Sequence, residues 1–168
     1  SGILGQSLTK LLKKKKFKLI YFKKNILSKK EVELWIHKNQ FNIIIHLAAL
    51  VPVQQAILNL KTSKNINFKG TKYLVDAINR FQKKKNYFFF SSTSHVYNYS
   101  EKKNKETSKL KGISKYGKTK IHAENYIIKN NKKYDYCIGR ISSLVSENQK
   151  DSFLLINLIK KGKKNKKI

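Results

Sequence analysis

Apolar residues along the chain alternate between short unbroken runs and longer stretches of helical spacing. The clearest run is Phe41-Asn-Ile-Ile-Ile-His-Leu-Ala-Ala-Leu-Val51, whose core Ile43–Leu47 suits a strand buried on both faces of a parallel sheet. Comparable runs predict strands at Phe17–Phe22, Asn42–Leu47, Asn86–Ser91 and Tyr134–Arg140. Between and around them, spacing near 3.6 predicts helices at Gly2–Lys14, Lys29–Asn39, Val53–Leu60, Ile66–Gln82, Lys115–Asn130 and Ser152–Lys161. Strand and helix in alternation define the α/β class: a doubly wound parallel sheet with right-handed crossovers. No internal repeat or composition break interrupts it, so a single domain over residues 1–168 is expected.

Charge changes this picture little. The formal net charge is +29 over 168 residues, which usually points to nucleic acid or anionic membrane. All but two of the 38 basic residues are lysine, however, the exceptions being Arg80 and Arg140. Base readout and bidentate phosphate recognition favour arginine, and these lysines spread over every predicted surface helix and loop. The excess is read as compositional bias and solvated surface, with no specific nucleic-acid partner. Residues 41–60 carry no formal charge, but Asn42, His46, Pro52, Gln54, Gln55 and Asn59 interrupt them, which argues against a membrane span. The lone Cys137 excludes a disulfide framework and a cysteine metal cluster, and fits a reducing cytoplasm.

The chemistry lies in Tyr116-Gly-Lys-Thr-Lys120, which follows Thr93, the residue closing the third strand-like run. Residues four apart on a helix share a face, about 6 Å apart along the axis. An ammonium beside a phenol favours the phenolate, so Tyr116 beside Lys120 is a candidate acid or base near neutrality. Thr93 offers a hydroxyl to the same reacting oxygen; a Thr that merely caps its own backbone is the plainer alternative. Gly2 and Gly5 have the spacing of a glycine-rich turn opening a helix, where a pyrophosphate meets backbone N–H groups. Ala48 and Ala49, just past a strand, would let a flat cofactor approach the backbone. His46 sits inside an apolar run and is expected to be a satisfied core histidine.

Together, S-G-I-L-G, I-I-H-L-A-A, N-F-K-G-T, F-F-F-S-S-T-S-H-V-Y and S-K-Y-G-K-T-K-I-H-A-E resemble the extended short-chain dehydrogenase/reductase family, its NAD-dependent epimerase/dehydratase group. The resemblance runs from Ser1 to roughly Leu158. It implies a Rossmann fold and NADP or NAD as cofactor. A nucleotide-sugar substrate and a possible homodimer through the helices Ile66–Gln82 and Lys115–Asn130 are implied as well. It also implies roles: Tyr116 as acid/base, Lys120 as its partner and holder of the nicotinamide ribose, and Thr93 polarising the substrate oxygen. Gly2 and Gly5 would line the pyrophosphate, Ala48 and Ala49 the adenosine side, and Asn67 would brace the neighbouring strand.

Departures from the family pattern narrow the expectation. The second strand ends Phe22-Lys23-Lys24 without the carboxylate that often binds the ribose of NAD, which tilts the cofactor toward NADP. Asn25 stands where many relatives have an adenine-contacting aspartate. Ser94-His95 replaces the acidic pair of sugar-nucleotide dehydratases, which leaves reduction or epimerisation of a keto-sugar. The family's first strand and its C-terminal substrate region have no counterpart here, so the chain is expected to be a fragment of a longer enzyme. The rival to an enzyme is a non-catalytic NAD(P)-binding scaffold.

Overall fold

A computed structural model describes residues 2–50, 60–146, 158, 159 and 162. The chain divides into two compact units, residues 1–20 with 143–168, and Tyr21–Ser142.

In the first unit the described element is helix α1 (Ile3–Lys14), with Gly2 as its extended N-cap at φ −73° and ψ 170°. It closes on a reverse turn in which the Phe17 N–H donates to the Leu12 carbonyl (3.1 Å) and the Lys16 N–H to that of Lys13 (2.9 Å). Lys16 takes the left-handed conformation this closure demands, φ 60°, where glycine is usual. The predicted strand Phe17–Phe22 is not a strand. An extended segment becomes one only by pairing, and no ladder forms on these residues.

The second unit is built on a parallel sheet of β1 (Ile43–His46), β2 (Asn86–Thr93) and β3 (Tyr134–Ile141), in that order. Ile44 aligns with Phe88, and Phe88 with Tyr136. Helix α2 (Lys29–Lys38) precedes β1. Between β1 and β2 lie α3 (Leu60–Lys64), a π-helical turn (Asn65–Gly70) and α4 (Thr71–Phe81), while α5 (Lys115–Lys129) joins β2 to β3. The predicted helix Val53–Leu60 and the last helix Ser152–Lys161 fall almost wholly outside the described residues. Among those residues, no helix is long and apolar enough to cross a membrane.

Phe88, Phe90 and Tyr134 meet Val32 and Ile36 of α2, Leu74, Val75 and Ile78 of α4, and Ala123 and Ile127 of α5 in one buried cluster. Burying each large side chain contributes about 2 kcal/mol. β1 departs from the expected two-sided burial: Ile44 and His46 are buried, whereas Ile43 is 49% and Ile45 36% exposed. The buried residues of α2, α4 and α5 gather on the Phe88–Phe90 face, so β1 alternates instead of being apolar on both sides. Gln82 ties three elements together. Its amide donates to the carbonyls of Ile36 (3.1 Å) and Asn39 (2.7 Å), and its carbonyl accepts from the Phe41 N–H (2.8 Å). That junction closes α2 and sets the entry to β1.

Candidate active site

Parallel strands deliver their C-terminal ends, and the loops that leave them, to one edge of a sheet. Here that edge carries Thr93 at the end of β2 and the loop Leu47–Leu50 beyond β1. Thr93 is 6% exposed and extended, and its Oγ accepts from the N–H of His95 (3.3 Å), capping the 3-10 turn Ser94–Val96. The capping alternative is therefore real. It uses one lone pair and leaves the hydroxyl proton free to be donated elsewhere.

Helix α5 begins where Ser114 Oγ accepts from the Gly117 N–H (2.9 Å). Its buried face is Tyr116, Lys120, Ala123, Glu124 and Ile127, a helical stripe that packs inward. The start of this helix lies hard against the turn after Thr93: a Cβ on Gly117 would stand 2.1 Å from the His95 carbonyl oxygen. The contact brings the Tyr116 ring edge-on to His95, 6.1 Å between centroids. His95 Nδ1 in turn lies 3.3 Å from Ser114 Oγ.

Lys120 is almost fully buried, 1% exposed, with Nζ 4.1 Å from the Phe90 ring centroid. Burial brings its pKa down to about 7, against the opposing pull of Glu124. The ammonium therefore stands near its titration point around neutrality. Burial pushes the Tyr116 phenol up from its ordinary value. This is the reverse of the depression expected from a neighbouring cation, because desolvation acts on both members of the pair and penalises each charged form.

His46 is the core histidine its run suggested. Thr71 Oγ donates to the Asn67 carbonyl (3.0 Å), so at His46 Nε2, 2.9 Å away, the imidazole must be the donor. Burial, and then the charge of Lys120, lower its pKa to about 3, which keeps it neutral. The rings of Phe88 and Phe90 flank it at 6.2 and 5.6 Å.

Asn67, in the π-helical turn, does more than brace a strand. Its carbonyl oxygen accepts from the Leu50 N–H (2.8 Å), and its amide donates to Ser63 Oγ (3.2 Å) and Thr119 Oγ (3.3 Å). Thr119 donates on to the Tyr116 carbonyl (2.7 Å). One fully buried carboxamide thus fastens the loop carrying Ala48 and Ala49 to the helical turn between Tyr116 and Lys120. Ala48 is exposed and Ala49 half-buried. Gly2 and Gly5 lie at the start of α1 in the other unit. Lys23 and Lys24 are exposed and, with Tyr21, Phe22 and Trp35, line a shallow groove of about 260 Å³. Asn25 accepts from the Leu27 N–H (2.9 Å), forming the turn before α2.

Sequence reasoning missed the charged group behind this face. Glu124, fully buried, accepts from Ser92 Oγ and pairs with Arg140 of β3 at 2.9 Å. The signal was the third member of the spacing Tyr116, Lys120, Glu124, hidden among so many charged residues. Gly117 was likewise passed over.

A hydroxyl, a phenol and a buried ammonium thus gather near the C-terminal ends of the strands of a parallel α/β sheet. The sequence profile of the NAD dependent epimerase/dehydratase family matches residues 1–168, and the chain belongs to that family. It is 31% identical over 132 residues to a dTDP-4-dehydrorhamnose reductase of Aggregatibacter actinomycetemcomitans, covering 76% of this chain and 44% of that protein. It is 33% identical over 100 residues to UDP-glucose 4-epimerase 3 of Oryza sativa subsp. japonica, covering 59% of this chain and 26% of that one. The crystal structure of a dTDP-4-dehydrorhamnose reductase from Bacillus anthracis str. Ames in complex with NADP shares the fold, with a TM-score of 0.83 at 24% identity over 97% of this chain and 57% of that one. UDP-glucuronic acid 4-epimerase from Bacillus cereus, in complex with UDP-glucuronic acid and NAD, does so at a TM-score of 0.73 and 22% identity, covering 86% and 45%. The chain therefore spans about half the length, or less, of these relatives.

Proposed function

We propose that the chain carries the acid–base half of an NAD(P)-dependent sugar-nucleotide oxidoreductase or epimerase, acting at a sugar hydroxyl or keto carbon. The observation carrying this reading is the placement of Tyr116 and Lys120 on the buried face of α5, pressed against the turn that follows Thr93. A nicotinamide nucleotide suits the site's donors. The buried Lys120 ammonium can hydrogen-bond ribose hydroxyls, and the small residues Ala48 and Ala49 leave room beside the backbone after β1. That cofactor supplies or accepts the hydride. Tyr116 then gives its phenolic proton to the sugar oxygen in reduction and takes it back in oxidation. Thr93 donates a hydrogen bond to the same oxygen and keeps its proton. Lys120, poised near pH 7, offsets the negative charge that grows on Tyr116 as the proton leaves. The absence of a carboxylate after Phe22, with Lys23 and Lys24 in its place, favours NADP over NAD.

NADPH and NADH titrations followed by fluorescence, together with turnover of nucleotide keto-sugars, test the reading. Tyr116→Phe is expected to keep cofactor affinity and to lose about 10²–10⁴-fold in turnover. Cofactor binding without turnover in the unaltered protein would favour the non-catalytic scaffold. No binding of either nucleotide would refute both.

A further inference from the structure

The Glu124–Arg140 pair has no part in the roles assigned above, yet it is the most heavily bonded charged group described. Arg140 Nε donates to both Glu124 oxygens (3.3 and 3.2 Å) and Nη2 to one of them (2.9 Å). Its Nη1 donates to Tyr97 Oη (3.0 Å) and to the Glu106 carbonyl (2.7 Å). Glu124 also accepts from Ser92 Oγ, on the residue before Thr93. One guanidinium and one carboxylate thus join β3, α5, the end of β2 and the segment that follows it.

Adhesion alone does not explain this. Apolar side chains of similar volume would hold a helix to a sheet without desolvating two charges. What distinguishes the place is its neighbour, since Glu124 lies one helical turn beyond Lys120 on the same buried face. Around Lys120, α5 carries Tyr116 and Glu124 one turn to either side on its buried face, β1 presents His46, and β2 presents the Phe90 ring. Arg140 of β3 pairs with Glu124, which engages its charge. Among the described residues, Glu124 is the anion whose charge acts on Lys120.

We propose that Glu124 and Arg140 are the positioning residues of the acid–base site: Arg140 holds the Glu124 carboxylate in place, and Glu124 orients the Ser92–Thr93 strand end while its charge acts on the Lys120 ammonium. The proposal rests on the reading of Lys120 as partner of Tyr116. Neither residue touches a reacting atom. Arg140 also anchors the segment Tyr97–Glu106, so losing the pair removes that anchor as well.

A double-mutant cycle of Lys120→Met and Glu124→Gln, read by chemical denaturation at about pH 6 and about pH 9, tests it. The expected coupling is about tenfold in the unfolding constant at the lower pH, where the lysine is charged, and below about twofold at the higher. Coupling of equal size at both values would mean packing alone and would overturn the proposal. Should Glu124→Gln not fold, the Glu124→Gln/Arg140→Gln pair, which removes both charges, takes its place in the same cycle with the same two outcomes. NADPH titrations on these proteins separate the two failures. A pH-dependent cycle in protein that binds no nicotinamide nucleotide refutes the functional reading and leaves the charge coupling standing. Tight binding with a pH-independent cycle refutes the coupling alone.

Discussion

Gly117→Ala sets two effects of opposite sign against each other. Within a helix alanine is favoured over glycine by up to about 1 kcal/mol, and in the first turn of α5, where Gly117 lies, propensity alone would still stabilise the variant. The added methyl, however, would lie 2.1 Å from the His95 oxygen and 2.8 Å from its carbonyl carbon, both backbone atoms that cannot swing aside. Ordinary contact begins at 3.4 Å, so the helix must retreat by about 1.3 Å, or the Ser94–Val96 turn must move instead. Overpacking of this kind costs about 1–3 kcal/mol, and subtracting the propensity gain leaves a net loss of up to about 2 kcal/mol. The displaced residue adjoins Tyr116, and a misplacement of about 1 Å at reacting groups lowers turnover by about 10²-fold. Urea denaturation measures the first quantity and nucleotide keto-sugar turnover the second. A Gly117→Ala protein more stable than its parent would show that α5 is not pressed against His95, and would remove the account of how Tyr116 is brought to Thr93.

Other expectations are independent of turnover. His46 has a folded pKa of about 3 against an ordinary 6.5, so the unfolded chain binds the extra proton between those values. Its contribution to stability is complete above pH 6.5 and is lost as pH falls toward 3, at up to about 1.4 kcal/mol per pH unit; His46→Gln should flatten that slope in denaturation series, and an unchanged slope would refute the assignment. Asn86 buries both polar atoms of its side chain without a protein partner at the start of β2. Asn86→Leu should therefore raise the unfolding free energy by about 1–2 kcal/mol, and a loss of that size would mean the amide is satisfied. Lys16→Gly should stabilise by about 1 kcal/mol by relieving the left-handed backbone that closes α1, read as a shift in the urea midpoint.

What the sequence made legible was whatever has a local period. β2, α5 and β3 lie where alternation and helical spacing put them, within two residues at each end, while the predicted helix Ile66–Gln82 is shared between the π-helical turn and α4. Phe17–Phe22 shows the limit: its residues favour a strand, but strand formation needs a partner that no local pattern supplies. Ile43–Leu47 shows another, since composition proposes burial on both faces while packing decides each face separately. At the site, Tyr116, Lys120 and Thr93 could be picked out because their spacing has a chemical meaning. Glu124 and Arg140 could not, because their pairing spans 16 residues, and although Asn67 was expected to brace a strand, its link to Thr119, 52 residues on, has no local signal. The depressed pKa of Lys120 was equally hidden, since it follows from burial, and nothing in the letters separates this lysine from its many exposed neighbours.

The turn at Asn65–Gly70 holds one residue more than an α-helix would use for the same rise, and the helix resumes in register beyond it. Deleting any single residue there would give a smoother helix, with one more conventional hydrogen bond. It would also rotate one flank against the other by about 100°, the angle each helical residue subtends. Thr71 and Asn67, both of which count on the longer path, could not then face His46 and Leu50 together. A length change that repairs the backbone would thus cut the wiring between the loop after β1 and the helix of Tyr116, so in this stretch chain length is under tighter constraint than residue identity.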